Sequence, residues 1–371
     1  MESLAVVIAR RISQIRYDLE FEVDVSVRPF GVRDIVLIRT LQTKGISLDL
    51  EGAVLRPRAP LWNALLSQIP LNSFGAATYV VRNRSQSGFI QAHQGRSPAE
   101  GYLTFVAPAL AWQDGTSHTW QLLLETLCRG QGERGVQRIF AKLPIEADSE
   151  AEVFRTVGFR VYTQEHIFKL PRPTEAAIPS SSLRLRAWES KDAWGIHRLY
   201  CLGAPRFVQQ AEHLPGQIGG CATSDWAQSN HEERYVWDQN GEVAAYLRLL
   251  GGEDGHWLHL LLHPEHTDQA EDLIRLGVAR LETHAPRPVY CAVRTYEAGL
   301  ASALEATGFE HQLTRFLLVK QTTVQIPQKI FEPMPQVEGV EAAPTASARM
   351  SHVKRRDGSI STRSEVLNET Q

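Results

Sequence analysis

The spacing of apolar and polar residues predicts the same series of elements twice along the chain. AEVFRTVGFRVYTQEHIFKL (residues 151–170) and ASALEATGFEHQLTRFLLVK (residues 301–320) both place apolar residues at helical spacing before a Gly-Phe pair and in alternation after it. This pattern predicts a helix, a turn that ends it and a strand. The chain therefore carries one local design in two copies.

The repeat also covers the start of each copy. VSVRPFGVRD (residues 25–34) and LRLRAWESKD (residues 183–192) share an alternating strand, an Arg, an aromatic residue and an Asp that we expect to cap the next helix. The second copy adds a hairpin across Asn240-Gly241 and a strand over HWLHLLLHP. Each half is predicted to run strand, helices, meander, helix, strand, helix, strand.

Composition marks the boundaries between these segments. PRPTEAAIPSS has no periodic apolar face and is typical of a linker, and the chain beyond about residue 325 is poor in aromatic residues. Near the start, one helical face carries Leu4, Ile8, Ile12 and Ile15. We therefore predict an extra N-terminal helix over 1–20, a domain over 21–171, a linker over 172–181, a second domain over 182–325 and a disordered tail over 326–371.

Charge and cysteine content limit the partners and the compartment. The 371 residues include 39 Lys plus Arg and 42 Asp plus Glu, so no overall positive field attracts nucleic acid or an anionic membrane. No apolar run approaches the ~20 residues that cross a bilayer. The four cysteines are widely separated and suit free thiols in a reducing compartment. We expect a cytoplasmic protein with a small-molecule partner, and the oligomeric state stays open.

The order of elements, together with a Gly-Phe motif in both copies, resembles the GNAT superfamily of acyl-CoA-dependent N-acetyltransferases. The resemblance covers about residues 22–170 and 182–322. It implies an α+β fold of two tandem GNAT-like domains, each with a mixed, mostly antiparallel twisted sheet flanked by helices. It also implies that the fourth and fifth strands diverge and that the pantetheine arm of acetyl-CoA pairs with the exposed fourth strand.

The same resemblance places a loop of pattern Q/R-x-x-G-x-G/A at the N-terminus of the next helix, where free N–H groups hold a pyrophosphate. In the first half, GYLTFVAP and the loop ALAWQDGTS occupy this place, although Asp114 adds a like charge. In the second half the loop EHTDQAED has no glycine, and its acids should repel a nucleotide. We expect acetyl-CoA in the first half, bound by Phe105, Val106, Trp112, Gly115, Thr116 and Ser117.

The catalytic groups that the resemblance implies are altered in both copies. A Tyr four residues before the glycine of Gly-Phe would act as acid and a Glu on the fourth strand as base, but Phe154 and Leu304 occupy the Tyr positions. The fourth strands instead offer Tyr102, His259 and His263, which are the predicted catalytic residues.

Two other motifs have competing interpretations. On a helix, the spacing of His256, His259, His263 and His266 could hold zinc, but Pro264 and the apolar residues between them favour a strand, so no metal is predicted. Histidines with a structural role are the alternative to catalytic ones. The glycine-rich RGQGERG, residues 129–135, follows a predicted helix and is expected to end it rather than to bind phosphate.

Two functional classes follow from these observations. One is an N-acyltransferase-like protein that transfers an acetyl or acyl group from acyl-CoA to an amine of unknown identity. The other is a catalytically inactive tandem GNAT-fold protein that binds a small molecule or serves as a scaffold.

Overall fold

The computed structural model describes residues 27–68, 76–83, 86–95, 97–112, 115–171, 183–212, 231–282 and 286–322. The expected N-terminal helix, the linker and the disordered tail lie outside these residues, as does Asp114. No helix in the described part of the chain is both long and apolar enough to cross a membrane.

The first half contains the predicted series of strands and helices. Its elements are β1 (Val27–Pro29), α1 (Ile35–Leu41), β2 (Ile46–Ser47), α2 (Leu50–Leu55), α3 (Pro60–Leu66), β3 (Ala77–Arg82), β4 (Ser87–Gln94), β5 (Glu100–Ala107), α4 (Ser117–Glu133), β6 (Arg138–Pro144), α5 (Asp148–Thr156) and β7 (Arg160–Leu170).

The second half repeats this series with small differences. Its elements are β8 (Arg186–Ala187), α6 (Ala193–Gly203), α7 (Arg206–Glu212), β9 (His231–Gln239), β10 (Glu242–Gly251), β11 (His256–Leu262), α8 (Ala270–Glu282), β12 (Val289–Arg294), α9 (Ala298–Ala306) and β13 (Glu310–Gln321). Gly158 and Gly308 follow α5 and α9 with φ of 95° and 90°, a conformation that favours glycine. The Gly-Phe motif therefore ends a helix in both halves.

The predicted α+β class is confirmed, and the two predicted sheets join into one. Thirteen described strands form a sheet in the order β1-β3-β4-β5-β6-β13-β7-β12-β11-β10-β9-β8, with β2 added beside β5. The last strands of the halves are exchanged: β13 lies between β6 and β7, and β7 lies between β13 and β12. Each half therefore completes the sheet of the other.

Equivalent positions of the two copies face each other where the halves meet. Glu165 on β7 and Arg315 on β13 occupy the same place after their Gly-Phe motifs, and they are directly opposite in the antiparallel β7·β13 pair. Both side chains are buried, and the Arg315 guanidinium donates a hydrogen bond to the Glu165 carboxylate. The two copies have thus diverged to opposite charges at one repeated position.

The repeated Asp at the start of each half does not cap its helix by a side-chain hydrogen bond, contrary to the sequence expectation. The Asp34 carboxylate accepts two hydrogen bonds of 2.7 Å from Arg28, and Asp192 accepts two of 2.7 Å from Arg186. The Arg–carboxylate hydrogen bonds are charge-assisted, and each carboxylate also accepts the backbone N–H three residues before it, that of Gly31 at 2.9 Å and that of Glu189 at 2.8 Å, as in a capping box of the 3-10 turn that leads into the helix. Each pair ties the first strand of a half to its first helix.

A short helix from each half packs against the sheet of the other half. Val54 and Leu55 of α2 join a buried cluster with Leu250 and Trp257 of the second half. In the reciprocal contact, Ala211 of α7 packs in a cluster whose first-half members include Tyr102 and Phe140. The described parts of both halves therefore share buried clusters as well as a sheet.

Candidate functional site

The fourth and fifth strands of the main sheet order, counted without β2, are β5 and β6 in the first half and β11 and β12 in the second. They diverge in both halves. β5 pairs in parallel with β6 only where residues 100–102 face 138–140, and β11 pairs with β12 only where residues 256–258 face 289–291. Beyond these three residue pairs the fifth strand no longer pairs with the fourth. Each half therefore has a wedge between two strands, at the place that the GNAT resemblance implies.

In the first half the wedge is filled by the chain itself. Strand β2 pairs antiparallel with the edge of β5 that β6 leaves unpaired, and this pairing matches Ile46 with Val106 and Ser47 with Phe105. The Leu48 N–H donates to the Thr104 carbonyl at 2.9 Å, and the Ala109 N–H donates to the Lys44 carbonyl at 2.8 Å. The backbone edge at the predicted cofactor residues Phe105 and Val106 is thus already paired.

The described ends of the predicted phosphate loop in the first half are hydrogen-bonded to each other. The Gly115 N–H donates to the Trp112 carbonyl at 2.8 Å, and Thr116 Oγ1 accepts the Thr119 N–H at 3.1 Å as the N-cap of α4. A side chain at Gly115 would collide with the Ala109 carbonyl oxygen. Ser117 is the first residue of α4. The glycine therefore serves a close approach of two backbone segments, and a side-chain oxygen already satisfies an N–H of this helix N-terminus.

In the second half the corresponding strand edge is open. No described strand pairs with residues 259–262 on the side that β12 leaves. A cavity of about 140 Å³ lies at the end of β11. The residues around it come from α6, β11, the following turn, the connection from β12 to α9 and the first turn of α9, and they include Leu199, Tyr200, Leu261, Leu262, Thr267 and Leu300.

The helix start beside this cavity is acidic and capped. His263 precedes a 3-10 turn over Pro264–Gln269, and its Nδ1 accepts the Glu265 N–H at 3.2 Å. Glu271 and Asp272 lie in the first turn of α8. Because acids satisfy the helix dipole and repel anions, this surface does not fit a diphosphate. His263, one of the predicted catalytic residues, therefore caps this 3-10 turn.

His259 has a partner from the other half of the chain. Its Nε2 lies 3.0 Å from Oε1 of Glu51, in the first turn of α2, and the two side chains are 12% and 2% exposed. In a neutral imidazole that donates from Nε2, the lone pair is on Nδ1. His259 and Leu261, which lines the cavity, lie on the same face of β11 because side chains alternate along a strand. Glu51 therefore orients a potential base beside the wedge.

Tyr102 lies in the first half, at the point where β5 and β6 begin to diverge. It belongs to the last β5·β6 pair before the wedge, stacks on Phe140 with ring centroids 5.2 Å apart, and directs its hydroxyl to Glu100 Oε2 at 3.3 Å. The structure therefore places Tyr102 on the strand of one half and His259 and His263 at the strand of the other. The three predicted catalytic residues do not form one cluster.

A buried polar network behind the cavity was not found from the sequence. Glu212 accepts the Tyr200 and Tyr162 hydroxyls at 2.8 and 2.9 Å and pairs with Arg294 at 3.3 Å. Glu297 lines the cavity and accepts the Arg294 backbone N–H at 2.9 Å, and burial raises the pKa of its carboxyl to about 7. These residues come from several elements, so no local spacing announced them.

The histidine series lies on a strand rather than on a helix. His256 is on the face of β11 opposite His259, as alternation requires. Across the residues that the structure describes, no three His, Cys, Asp or Glu side chains are grouped to hold a metal ion.

Both halves share the strand order, the wedge between the fourth and fifth strands and the glycine-ended final helix. The fold is a tandem GNAT fold. Among solved structures, the chain is similar to a GCN5-related N-acetyltransferase from Sphaerobacter thermophilus, with 12% identity, a TM-score of 0.47, and coverage of 80% of this chain and 95% of that one.

A tandem GNAT protein from the clavulanic acid biosynthesis pathway is 14% identical, with a TM-score of 0.47 and coverage of 81% and 99%. A putative acetyltransferase from Pyrococcus horikoshii is 9% identical, with a TM-score of 0.44 and coverage of 82% and 92%. No protein-family model and no curated protein matches the chain. The fold assignment therefore depends on the strand order and the wedges themselves.

Proposed function

We propose that the protein is an N-acyltransferase-like enzyme whose thioester donor lies along β11 of the second half. One observation carries the proposal: among the described residues, no strand pairs with the edge of β11 beside the cavity, whereas β2 fills the wedge of the first half. The proposal reverses the sequence expectation, which put acetyl-CoA in the first half.

The open edge and the helix start differ in what they fit. The backbone edge at residues 259–262 fits an extended pantetheine arm, because main-chain groups give affinity when a strand-like ligand is added to a sheet. The acids at the start of α8 do not fit the diphosphate of a nucleotide. The donor class is therefore an acyl-pantetheine thioester. Acetyl-CoA belongs to this class, but its nucleotide part adds little to the binding affinity.

His259 is the residue to which we assign proton transfer. In the reaction, an amine nitrogen forms a bond to the thioester carbonyl carbon, the carbon–sulfur bond breaks, the thiolate leaves, and the amine proton is accepted by His259 Nδ1. Glu51 is a positioning residue, since its carboxylate holds the imidazole by Nε2 at 3.0 Å. A general base of this kind contributes about 10²- to 10⁴-fold in rate.

Donor binding is tested by calorimetry of the full chain with S-acetylpantetheine and with acetyl-CoA. We expect both to bind, and we expect Asp268→Lys, in the 3-10 turn before α8, to raise the affinity for acetyl-CoA severalfold without changing that for S-acetylpantetheine, because only acetyl-CoA carries a diphosphate that the new charge attracts. Glu305→Lys makes the same charge change on an exposed face of α9 and is the control. No binding of either thioester would disprove the proposal.

Proton transfer is tested by thiol release with a panel of primary amines. His259→Asn should lower kcat about 10²-fold or more. Glu51→Gln should lower kcat less and displace the pH–rate profile, which a merely structural role would not do. An unchanged pH profile in both variants would remove His259 and Glu51 from the mechanism.

A scaffold or binding function is the second candidate. The paired edge of β5 and the capped start of α4 favour it for the first half, where the chain's own atoms occupy the positions expected for a donor. Calorimetry and thiol release together separate the two candidates, since a scaffold binds neither thioester and a binding protein without activity releases no thiol.

A further inference from the structure

The cavity at the end of β11 is predominantly apolar. Leucines 199, 261, 262 and 300 supply much of its wall, and Gly203 and Ala204 at the end of α6 leave room in it. Two polar groups of the wall already have partners: the Tyr200 hydroxyl donates to Glu212 at 2.8 Å, and Glu297 accepts the Arg294 N–H at 2.9 Å. An occupant therefore gains mainly from burying apolar surface.

The volume sets the size of that occupant. An apolar protein cavity of about 150 Å³ takes up benzene, and this one measures about 140 Å³. The methyl group of an acetyl donor would leave most of this space empty. Unfilled apolar space forfeits contacts on every side, so a small acyl group would bind here with a loss.

The position of the cavity links it to the donor site. Leu261 and Leu262 belong to the open strand edge along which the thioester arm is placed, so a group attached to the end of that arm can reach the cavity. We propose that the cavity is the specificity pocket for the acyl group of the donor. It takes an apolar acyl group of about benzene size, such as benzoyl or a branched five- or six-carbon chain, in preference to acetyl.

This inference rests on the proposed function and is tested with the full chain by calorimetry with S-benzoylpantetheine and S-acetylpantetheine. We expect the benzoyl thioester to bind at least tenfold more tightly, because one methylene in an apolar pocket discriminates by about tenfold or more. Equal affinities for the two thioesters would overturn the inference and leave the proposed function standing. If neither thioester binds, both fail.

Three variants locate the preference. Ala204→Leu fills the cavity and should abolish the preference for benzoyl while retaining acetyl binding, and Leu300→Ala enlarges it and should shift the preference to longer chains. Leu202→Ala, at a side chain of α6 that is 52% exposed and outside the cavity, is the control and should change neither affinity. Thermal unfolding of each variant checks that it is folded. A benzoyl-to-acetyl ratio that neither cavity variant changes would contradict the assignment.

Discussion

Replacing Glu165 with Gln tests the joint between the two halves. The Glu165 side chain is 1% exposed and lies among three cations: the Arg315 guanidinium, Lys142 Nζ at 3.3 Å and an Arg294 nitrogen at 3.7 Å. These cations hold the pKa of the carboxyl well below its ordinary value, although burial acts in the opposite direction. Glu165→Gln removes a carboxylate charge that contacts all three cations, of which Arg294 alone keeps a second carboxylate described above, Glu212 at 3.3 Å.

The expected loss follows from breaking a buried ion pair, which costs about 3–5 kcal/mol. The compact unit over residues 1–325 has an unfolding entropy of about 0.7 kcal/mol/K at ~2.1 cal/mol/K per residue. The melting temperature should therefore fall by about 4–7 °C at pH 7. Because the folded pKa is depressed, the stabilisation is complete above the unfolded pKa of about 4.3 and is lost as the pH falls below it.

Calorimetric melting at pH 7 and at pH 3 measures both effects, and the difference between wild type and variant should shrink at the lower pH. Glu152→Gln is the control, since this exposed carboxylate pairs with Arg155 at 2.9 Å on the surface and should contribute less than about 1 kcal/mol. A Glu165→Gln protein that melts within 1 °C of the Glu152→Gln protein at pH 7 (about 0.7 kcal/mol) would refute the reasoning.

Three further predictions concern separate parts of the molecule. Gly45→Val should lower the free energy of unfolding by about 1–3 kcal/mol in denaturant titrations, because its side chain would collide with the ring of Phe105, whereas Gly203→Ala, with open space around its new methyl, should change it little. Burial raises the pKa of the Cys128 thiol to about 12 and also that of Cys291, so both thiols should react with a maleimide only after unfolding, and labelling of Cys128 or Cys291 in the native protein, located by peptide mass mapping, would contradict this. The raised pKa of Glu297 penalises the folded state above the unfolded pKa of about 4.3, so Glu297→Gln should raise the free energy of unfolding by about 3–4 kcal/mol at pH 8 and not at pH 4; an equal effect at both would rule out the ionisation as its cause.

Local patterns predicted the strands and helices well where each element carries its own signal. The Gly-Phe motif marked the end of α5 and α9, and Asn240-Gly241 marked the hairpin, with φ of 52° and 83°. Both depend on backbone conformations that few residues adopt, so the residue type itself is informative. The duplication was visible in the sequence because the informative Gly-Phe motif occurs in both copies.

The wedge of the first half could not be predicted in this way. Strand β2 has two residues, too few for any alternation, and its place beside β5 depends on pairing across the fold. The contact between His259 and Glu51 joins residues 208 positions apart and leaves no trace in local spacing. The pairing of an Arg with each repeated Asp could have been predicted from the sequence, because Arg28–Asp34 and Arg186–Asp192 have the same separation in both copies.

The exchange of β7 and β13 has a consequence for any attempt to separate the copies. A fragment that ends after β7 would keep a final strand whose neighbours, β12 and β13, are on the missing piece. Two identical fragments could substitute for each other only by setting glutamate against glutamate, or arginine against arginine, at the centre of the joint. The opposite charges at positions 165 and 315 therefore favour pairing between the two different halves over pairing of either half with a copy of itself.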